Sequence, residues 1–517
     1  PTLEFDVRDG SRDRYGVRAA VSGTSASTVL EGPLGMSKRG SWLVSLRKSY
    51  LDWLIRKVEP EVDSTIGFVD GIAKLTFDLT SRQQAQLLIL GGRSTYREQQ
   101  AARSNGLLLA TASSGLMSAA WRYARSPWVF VTRASFVGSD FRNIGVVAQE
   151  LGRGYTQSVT IRADATAALG RGWTLESGAR HEQYRLTHVL REFGPAGGER
   201  VRVRNERDVT ARTRLLGGWA QVSHRNDAGG LVLGVNGVSR TLADRGAVLP
   251  WVLAERTAGR VTFRGSAGGS AQFPDPVFLD EPLSIRPERA WSFDAGADYR
   301  VTDATHVQIT AFHRTESDVV RNIGEARLAN QGQTRFPEST FPIFRQSLEG
   351  TTRGVDLILR HWSSAGVNGW MGYTWARTRH RDTTTGEEFD GDFDQRHTLN
   401  AFVQVRLSYR MMAGAKLRVG SNFPIAGYFD TRGNDTLWLS SMRNEVRLPT
   451  YARLDLRGSR TFTMGPGRLT LFVEIMNALG RRNIGQADGS IRPNLEAVGY
   501  VEKLIPFVPS AGVLIEF

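Results

Sequence analysis

The chain has 517 residues, no cysteine, and 66 Lys and Arg against 52 Asp and Glu, giving a net charge of +14 carried almost entirely by Arg. The missing thiols exclude disulfides and thiolate metal centres, and the basic residues are spread out with no nucleic-acid motif around them, so no nucleic-acid partner is expected. No run of about 18 apolar residues offers a transmembrane helix, and no shift in composition marks a linker, so one architecture is expected across residues 1–517.

The opening PTLEFDVRDG has neither Met nor a basic-then-apolar leader, and LEFDV reads as a first strand. Period-two alternation then recurs along the chain. In AKLTFDLTS, Leu75, Phe77 and Leu79 oppose Lys74, Thr76, Asp78 and Thr80, and TSRQQ (80–84) follows as a tight turn. In THVQITAFHR, Val307, Ile309 and Ala311 oppose His306, Gln308 and Thr310. Two long connections follow, 321–349 and 379–396. HTLNAFVQVRLSYR sets Leu399, Ala401, Val403, Val405, Leu407 and Tyr409 against Asn400, Gln404, Arg406 and Ser408, with a short turn at 408–414. After a long connection at 427–448, YARLDLRGSRTF sets Ala452, Leu454 and Leu456 against Arg453, Asp455 and Arg457. TMGPG (463–467) turns into RLTLFVEIMNAL, where Leu469, Leu471, Val473 and Ile475 oppose Thr470, Glu474 and Met476. A long connection at 480–504 leads to PFVPSAGVLIEF, which stops on Phe517.

These strands often reach ten residues or more, whereas strands of globular proteins average five or six. A tilted strand crossing a bilayer needs about nine to eleven. Short turns alternate with long loops, the pattern of an outer-membrane barrel with short periplasmic turns and long extracellular loops. Lipid cannot satisfy an open sheet edge, so the sheet must close. The reading is an all-β, transmembrane antiparallel β-barrel of about 22 strands in a bacterial outer membrane, both termini on the periplasmic side. Outer-membrane lipid and lipopolysaccharide are then expected partners. The last strand directs Val513, Ile515 and Phe517 to lipid and Ser510, Gly512 and Glu516 inward, and is expected to pair with LEFDV.

Five stretches resemble the barrel of a TonB-dependent outer-membrane receptor: VLEGPLG with GSWLVSLRKSYLDWL, FDQRHTLNAFVQVRL, LPTYARLDLRGSRTF, LFVEIMNALGRRN with Glu474 and Asn477 at matching places, and PSAGVLIEF with its terminal aromatic. The resemblance implies uptake of a scarce siderophore-, carbohydrate- or peptide-like ligand, energised through TonB, with a plug domain and the TonB complex as partners. It also implies that Phe517 is read by the barrel-assembly machinery. The glycine-rich plug signatures do not occur in this sequence; a plug is expected to belong to the receptor, with its being cleaved, disordered, carried on another chain or lost all left open. A plugless or gated porin, an outer-membrane enzyme and a scaffold barrel stay open as alternatives. No HExxH or GxSxG motif supports catalysis, so no enzymatic activity is expected.

Candidate sites fall in the long connections. HRDTTTGEEFDGDFDQRH clusters Asp390, Asp392 and Asp394, which reads either as a divalent-cation site in an extracellular loop or as a solvated loop; no other cofactor is expected. Tyr428, Phe429 and Trp438 read as ligand-binding aromatics, the first two alternatively as members of the interfacial girdle. Arg321, Arg327 and Arg335 read either as a clamp for an anionic ligand such as a ferric chelate or a carboxylated sugar, or as part of a disordered loop. The inward charges Arg453, Asp455, Arg457 and Glu474 are expected to pair with one another or with a plug.

Overall fold

The computed structural model describes residues 6–517 apart from 36–37, 59–63, 99–105, 196–200, 242–245, 276–285, 323–327, 331–332, 336–343, 365, 432–436 and 492–496. Its 23-stranded sheet is a closed antiparallel barrel of 22 wall strands, plus one short strand, Glu388–Asp390, paired to the side of the wall. In chain order the wall strands are β1 Gly16–Ser22, β2 Ser25–Pro33, β3 Gly40–Ser49, β4 Ser64–Thr80, β5 Gln83–Glu98, β6 Leu107–Arg125, β7 Trp128–Gly145, β8 Glu150–Gly170, β9 Trp173–Pro195, β10 Val201–Asn226 and β11 Gly229–Arg240. They continue as β12 Ala247–Ala258, β13 Val261–Gln272, β14 Glu288–Arg300, β15 Thr305–Asn322, β16 Phe344–Trp362, β17 Val367–Asp382, β18 His397–Arg406, β19 Met411–Gly420, β20 Tyr451–Met464, β21 Gly467–Met476 and β22 Val508–Glu516. The described helix is α1, Leu51–Val58, far too short to cross a membrane.

Connections sort by side. At one end they are tight, as at residues 81–82, 126–127, 171–172 and 465–466, with 34–39 the longest. At the other end the later ones lengthen to 273–287, 323–343, 383–396, 421–450 and 477–507. Short turns are periplasmic and long loops extracellular.

The chain divides into two compact units. The first comprises Pro1–Ala220, Ser459–Val473 and Pro509–Phe517. It contains the closing seam, where β1 pairs with β2 on one side and β22 on the other, Arg18 facing Glu516 and Val21 facing Val513. Val17 and Phe517 exchange both backbone hydrogen bonds, at 3.2 and 2.9 Å, and Arg18 bridges Glu516 at 2.8 Å. The partner of the last strand is therefore GVRAAVS, not LEFDV. The residues between carry too much charge and too little apolar alternation to face lipid. They lie instead along the polar face of β2–β4: Arg8 pairs with Glu31, Asp9 accepts from Thr76 at 2.8 Å and bridges Lys74 at 2.8 Å, and Arg12 pairs with Asp78. Gly10 permits this approach, since a Cβ there would come within 2.0 Å of the Trp42 carbonyl oxygen. Around the turn at 126–127, Trp121, Tyr123, Phe130 and Trp128 stack in a row with centroids 5.8–6.5 Å apart, an aromatic girdle at the short-turn end.

The second unit comprises Gln221–Gly458 and Glu474–Val508. Its strands keep the alternation: Ile309 faces Ala297 on β14 and Leu357 on β16, one apolar row open to the membrane. The inward charges pair locally. Arg453 bridges Asp455 at 2.7 Å, and Arg457 bridges Glu474. Asp455 also accepts the backbone N–H of Asn477 at 2.9 Å, so the RLDL and EIMNAL stretches meet directly. Asn477 is fully buried and sits in the left-handed region (φ 51°), where its side chain donates to the Arg481 and Ile505 carbonyls.

Candidate functional site

Within the second unit, the extracellular connections after β17 and β19 fold onto each other. The local cause begins at Asp382. Its carboxylate accepts the N–H groups of Thr384 at 2.7 Å and Thr385 at 3.2 Å, an Asx turn, and Gly386 supplies the left-handed residue (φ 73°) that brings the chain back. The hairpin lets Glu388–Asp390 pair with Arg379–Arg381.

Arg321, the penultimate residue of β15, enters this hairpin. It is 2% exposed, pairs with Asp382, and reaches Glu387 at 2.8 Å. Its guanidinium lies over Phe389, 5.1 Å from the ring centroid, and that of Arg443 lies over the same ring at 5.0 Å. Tyr428, 1% exposed, donates its hydroxyl to Glu387. Phe429 packs with Ile425 and Leu448 in a small buried core. Tyr428 and Phe429 thus stand in the interior of the folded loops rather than at a headgroup girdle, because Glu387 and the Ile425 cluster give one its polar partner and the other its apolar contacts. Arg321 is likewise enclosed, its charge answered by two carboxylates rather than held for a ligand.

The three aspartates are held by arginines. Arg443 donates to both oxygens of Asp392 at 2.9 and 3.1 Å. Arg396 reaches Asp390 at 2.7 Å and Asp394 at 3.0 Å; Arg447 also pairs with Asp394, and Arg377 lies 3.5 Å from Asp390. Asn444, in the left-handed region (φ 58°), donates to Asp392 and to the Asp390 carbonyl, both at 2.7 Å. Five guanidiniums (321, 377, 396, 443, 447) face five carboxylates (382, 387, 390, 392, 394), so the cluster is formally neutral. Among the described residues, no group of three His, Asp or Glu side chains is arranged to hold a metal. The positive charge that a cation would bring to these aspartates is already supplied by arginine.

Burial pushes the Asp382 carboxyl up, but the Arg321 guanidinium and the Thr384 amide outweigh it and hold it below the ordinary carboxylate range. Glu445 is held low by the Ser440 and Ser441 hydroxyls and the Met442 amide. Burial lowers the Arg396 guanidinium, yet its bond to Asp394 and the charge of Asp390 raise it overall.

One large side chain stands out of this framework. Phe393 is 86% exposed, although the aspartates on either side of it are pinned, and its ring meets Phe423 edge-on at 6.1 Å. The sequence reading passed over it; its signal was an aromatic inside the acidic GDFDQ run. Trp438 lies in the short strand Leu437–Leu439, paired through Asp430 to Phe429–Thr431, and its side chain lies outside the described residues. Arg335 is in the strand Gln333–Arg335, again with its side chain outside them, and Arg327 lies wholly outside. Phe517, in the first unit, is exposed at the seam, and a Cβ on Gly467 would sit 2.7 Å from its ring.

Residues 41–478 match a family model described as TonB dependent receptor-like, beta-barrel. Among solved structures, the chain is similar to the ferripyoverdine receptor of the outer membrane of Pseudomonas aeruginosa, with a TM-score of 0.72 and 13% identity over 99% of this chain and 72% of that one. It is also similar to the siderophore receptor PirA from Acinetobacter baumannii (TM-score 0.71, 11% identity, 99% and 81% covered). A ferric enterobactin receptor mutant from Pseudomonas aeruginosa, solved with enterobactin, gives 0.71 and 14% over 98% and 82%. No curated protein matches the sequence.

Proposed function

Because this chain belongs to the TonB-dependent receptor-like β-barrel family, an outer-membrane receptor and transporter family, we propose that it takes up a scarce siderophore-like ligand across the bacterial outer membrane, energised through TonB and gated by a plug. The observation that carries this reading is the loop framework of the second unit. Ten charged side chains and a buried tyrosine are committed to holding loop 383–396 and the described parts of loop 421–450 in one shape. That rigidity suits capture of a dilute ligand, since a pre-ordered site loses less freedom on binding. Phe393 offers the aromatic contact at its surface. The receptors of similar fold that bind iron chelates support a siderophore over a carbohydrate or peptide.

In this mechanism the extracellular loops capture the ligand, and the polar inner faces of the wall strands line its path once the plug moves. The test is accumulation of ferric siderophores labelled with radioactive iron by cells carrying the complete protein, with and without a protonophore. Energy-dependent accumulation is expected. Uptake indifferent to the protonophore, together with large steady currents in planar bilayers, would identify a porin instead.

A further inference from the structure

The membrane-facing row of the first unit changes character along its length. Residues paired across an antiparallel ladder share a face, so Leu75, Leu87, Ile89, Val44 and Leu46 lie in one apolar field across β3, β4 and β5. Continuing the same face toward the long-loop end, Val69 pairs with Arg93 and Lys48, Gly67 with Thr95, and Thr65 with Arg97. From Gln83 at the tight turn to Arg93 is about 34 Å of strand, or about 24 Å of height at a 45° tilt. That equals the roughly 25 Å apolar band of an outer-membrane barrel. The three cations begin where hydrocarbon ends, on the extracellular side.

There they line a cavity of about 250 Å³, with Thr65, Thr95 and Asp52 as its other polar walls. Helix α1 closes one side: Asp52 stands 3.5 Å from where a Cβ on Gly67 would be. Among the described residues Asp52 is the one acidic wall, and Arg56 partly answers it at 3.3 Å. Lys48, Arg93 and Arg97 are exposed and make no ion pair among the described residues. Among the described lining residues, three cations against one carboxylate leave a charge of +2. The rest of the helix suits an interface, with Ile55 buried, Trp53 exposed, and Arg56 and Lys57 in its last turn.

We propose that this cavity binds a phosphate group on the headgroup of an outer-leaflet glycolipid of the lipopolysaccharide type. Lys48, Arg93 and Arg97 supply charge, the two threonines supply hydroxyl donors, and Trp53 lies among the upper acyl chains. Guanidinium groups match phosphate geometry through paired N–H donors.

The test measures binding of the complete protein, in nanodiscs, to bisphosphorylated lipid A and to its dephosphorylated form. Tighter binding of the phosphorylated form is expected. Lys48→Gln, Arg93→Gln and Arg97→Gln together should weaken it about a hundredfold, at roughly fivefold per cation near an anionic surface. Arg93→Lys with Arg97→Lys should retain most of it, and Arg125→Gln, Arg171→Gln and Arg300→Gln at the short-turn end should leave it unchanged. If the triple variant lacks the heat-modifiable folded band, Arg97→Gln alone is read for its fivefold loss. Equal binding by wild type and variant overturns the proposal, as does equal affinity for the dephosphorylated lipid. Inorganic phosphate binding as tightly as the lipid would assign a soluble ligand and overturn the lipid source. Ligand uptake plays no part in the readout, so this site and the transport reading stand or fall separately.

Discussion

Arg321 shows how a single residue changes meaning on folding. In sequence it is a cation opening a long polar stretch, and a ligand clamp is one of two open expectations. Asp382 and Glu387 lie 61 and 66 residues further on, and no local pattern announces that they converge on it. Removing one partner of a buried ion pair strands the other in a poor solvent, at a cost of about 3–5 kcal/mol. Arg321→Leu should therefore loosen the hairpin at 382–390, read as faster amide exchange and proteolysis there, while heat-modifiable barrel formation stays intact. Phe393 is the opposite case, a side chain whose value lies in being exposed. Phe393→Ala should weaken siderophore binding about tenfold, a typical aromatic contact in an interface, without altering exchange in the loops.

At the scale of elements, strands were far more legible than loops. Alternation in THVQITAFHR and RLTLFVEIM survives intact in β15 and β21, and in AKLTFDLTS as far as Asp78, where a bulge shifts the register of β4 against β5, because along these stretches each face meets one medium. LEFDV misled because five residues of apparent alternation say nothing about what lies beyond them, here a charged segment suited to a polar wall. The acidic loop was ambiguous for a different reason. Clustered aspartates attract either a metal or arginines, and the arginines that answer Asp392 and Asp394 come partly from 443 and 447, on another connection. This loop core has a pH signature. The folded Asp382 pKa is depressed, so its ion pair contributes fully above the unfolded value and is lost as pH falls through the lower folded one. Loop exchange should be steady from neutral pH to about 4 and rise below it. Arg321→Leu should abolish that step.

For the molecule as a whole, uniform composition over the full length, strand length and loop sorting all point to a closed membrane barrel, and 22 strands is the number that closes it. The order of the strands needed no decoding, since each pairs with its sequence neighbour except at the seam. The ligand was not legible, because loop shape depends on contacts between distant connections rather than on a period. Closure itself rests on a short β1 and on the end of β22. Deleting Phe517 removes two backbone hydrogen bonds to Val17 and the ring over Gly467. The variant should yield less heat-modifiable, membrane-inserted protein, while the fraction that does assemble binds ligand normally.

The seam also sets a schedule. Arg18 and Glu516, which meet across it, are 498 positions apart. During synthesis the first strand emerges long before its final partner exists, and until then it can pair only with β2. Joining segments so distant carries a large loop-closure entropy and favours slow, late completion. An unfinished sheet meanwhile exposes a bare edge able to recruit other chains. The nascent polypeptide must therefore travel unclosed and be kept from self-association on the way, and its last strand is the one on which the whole wall waits.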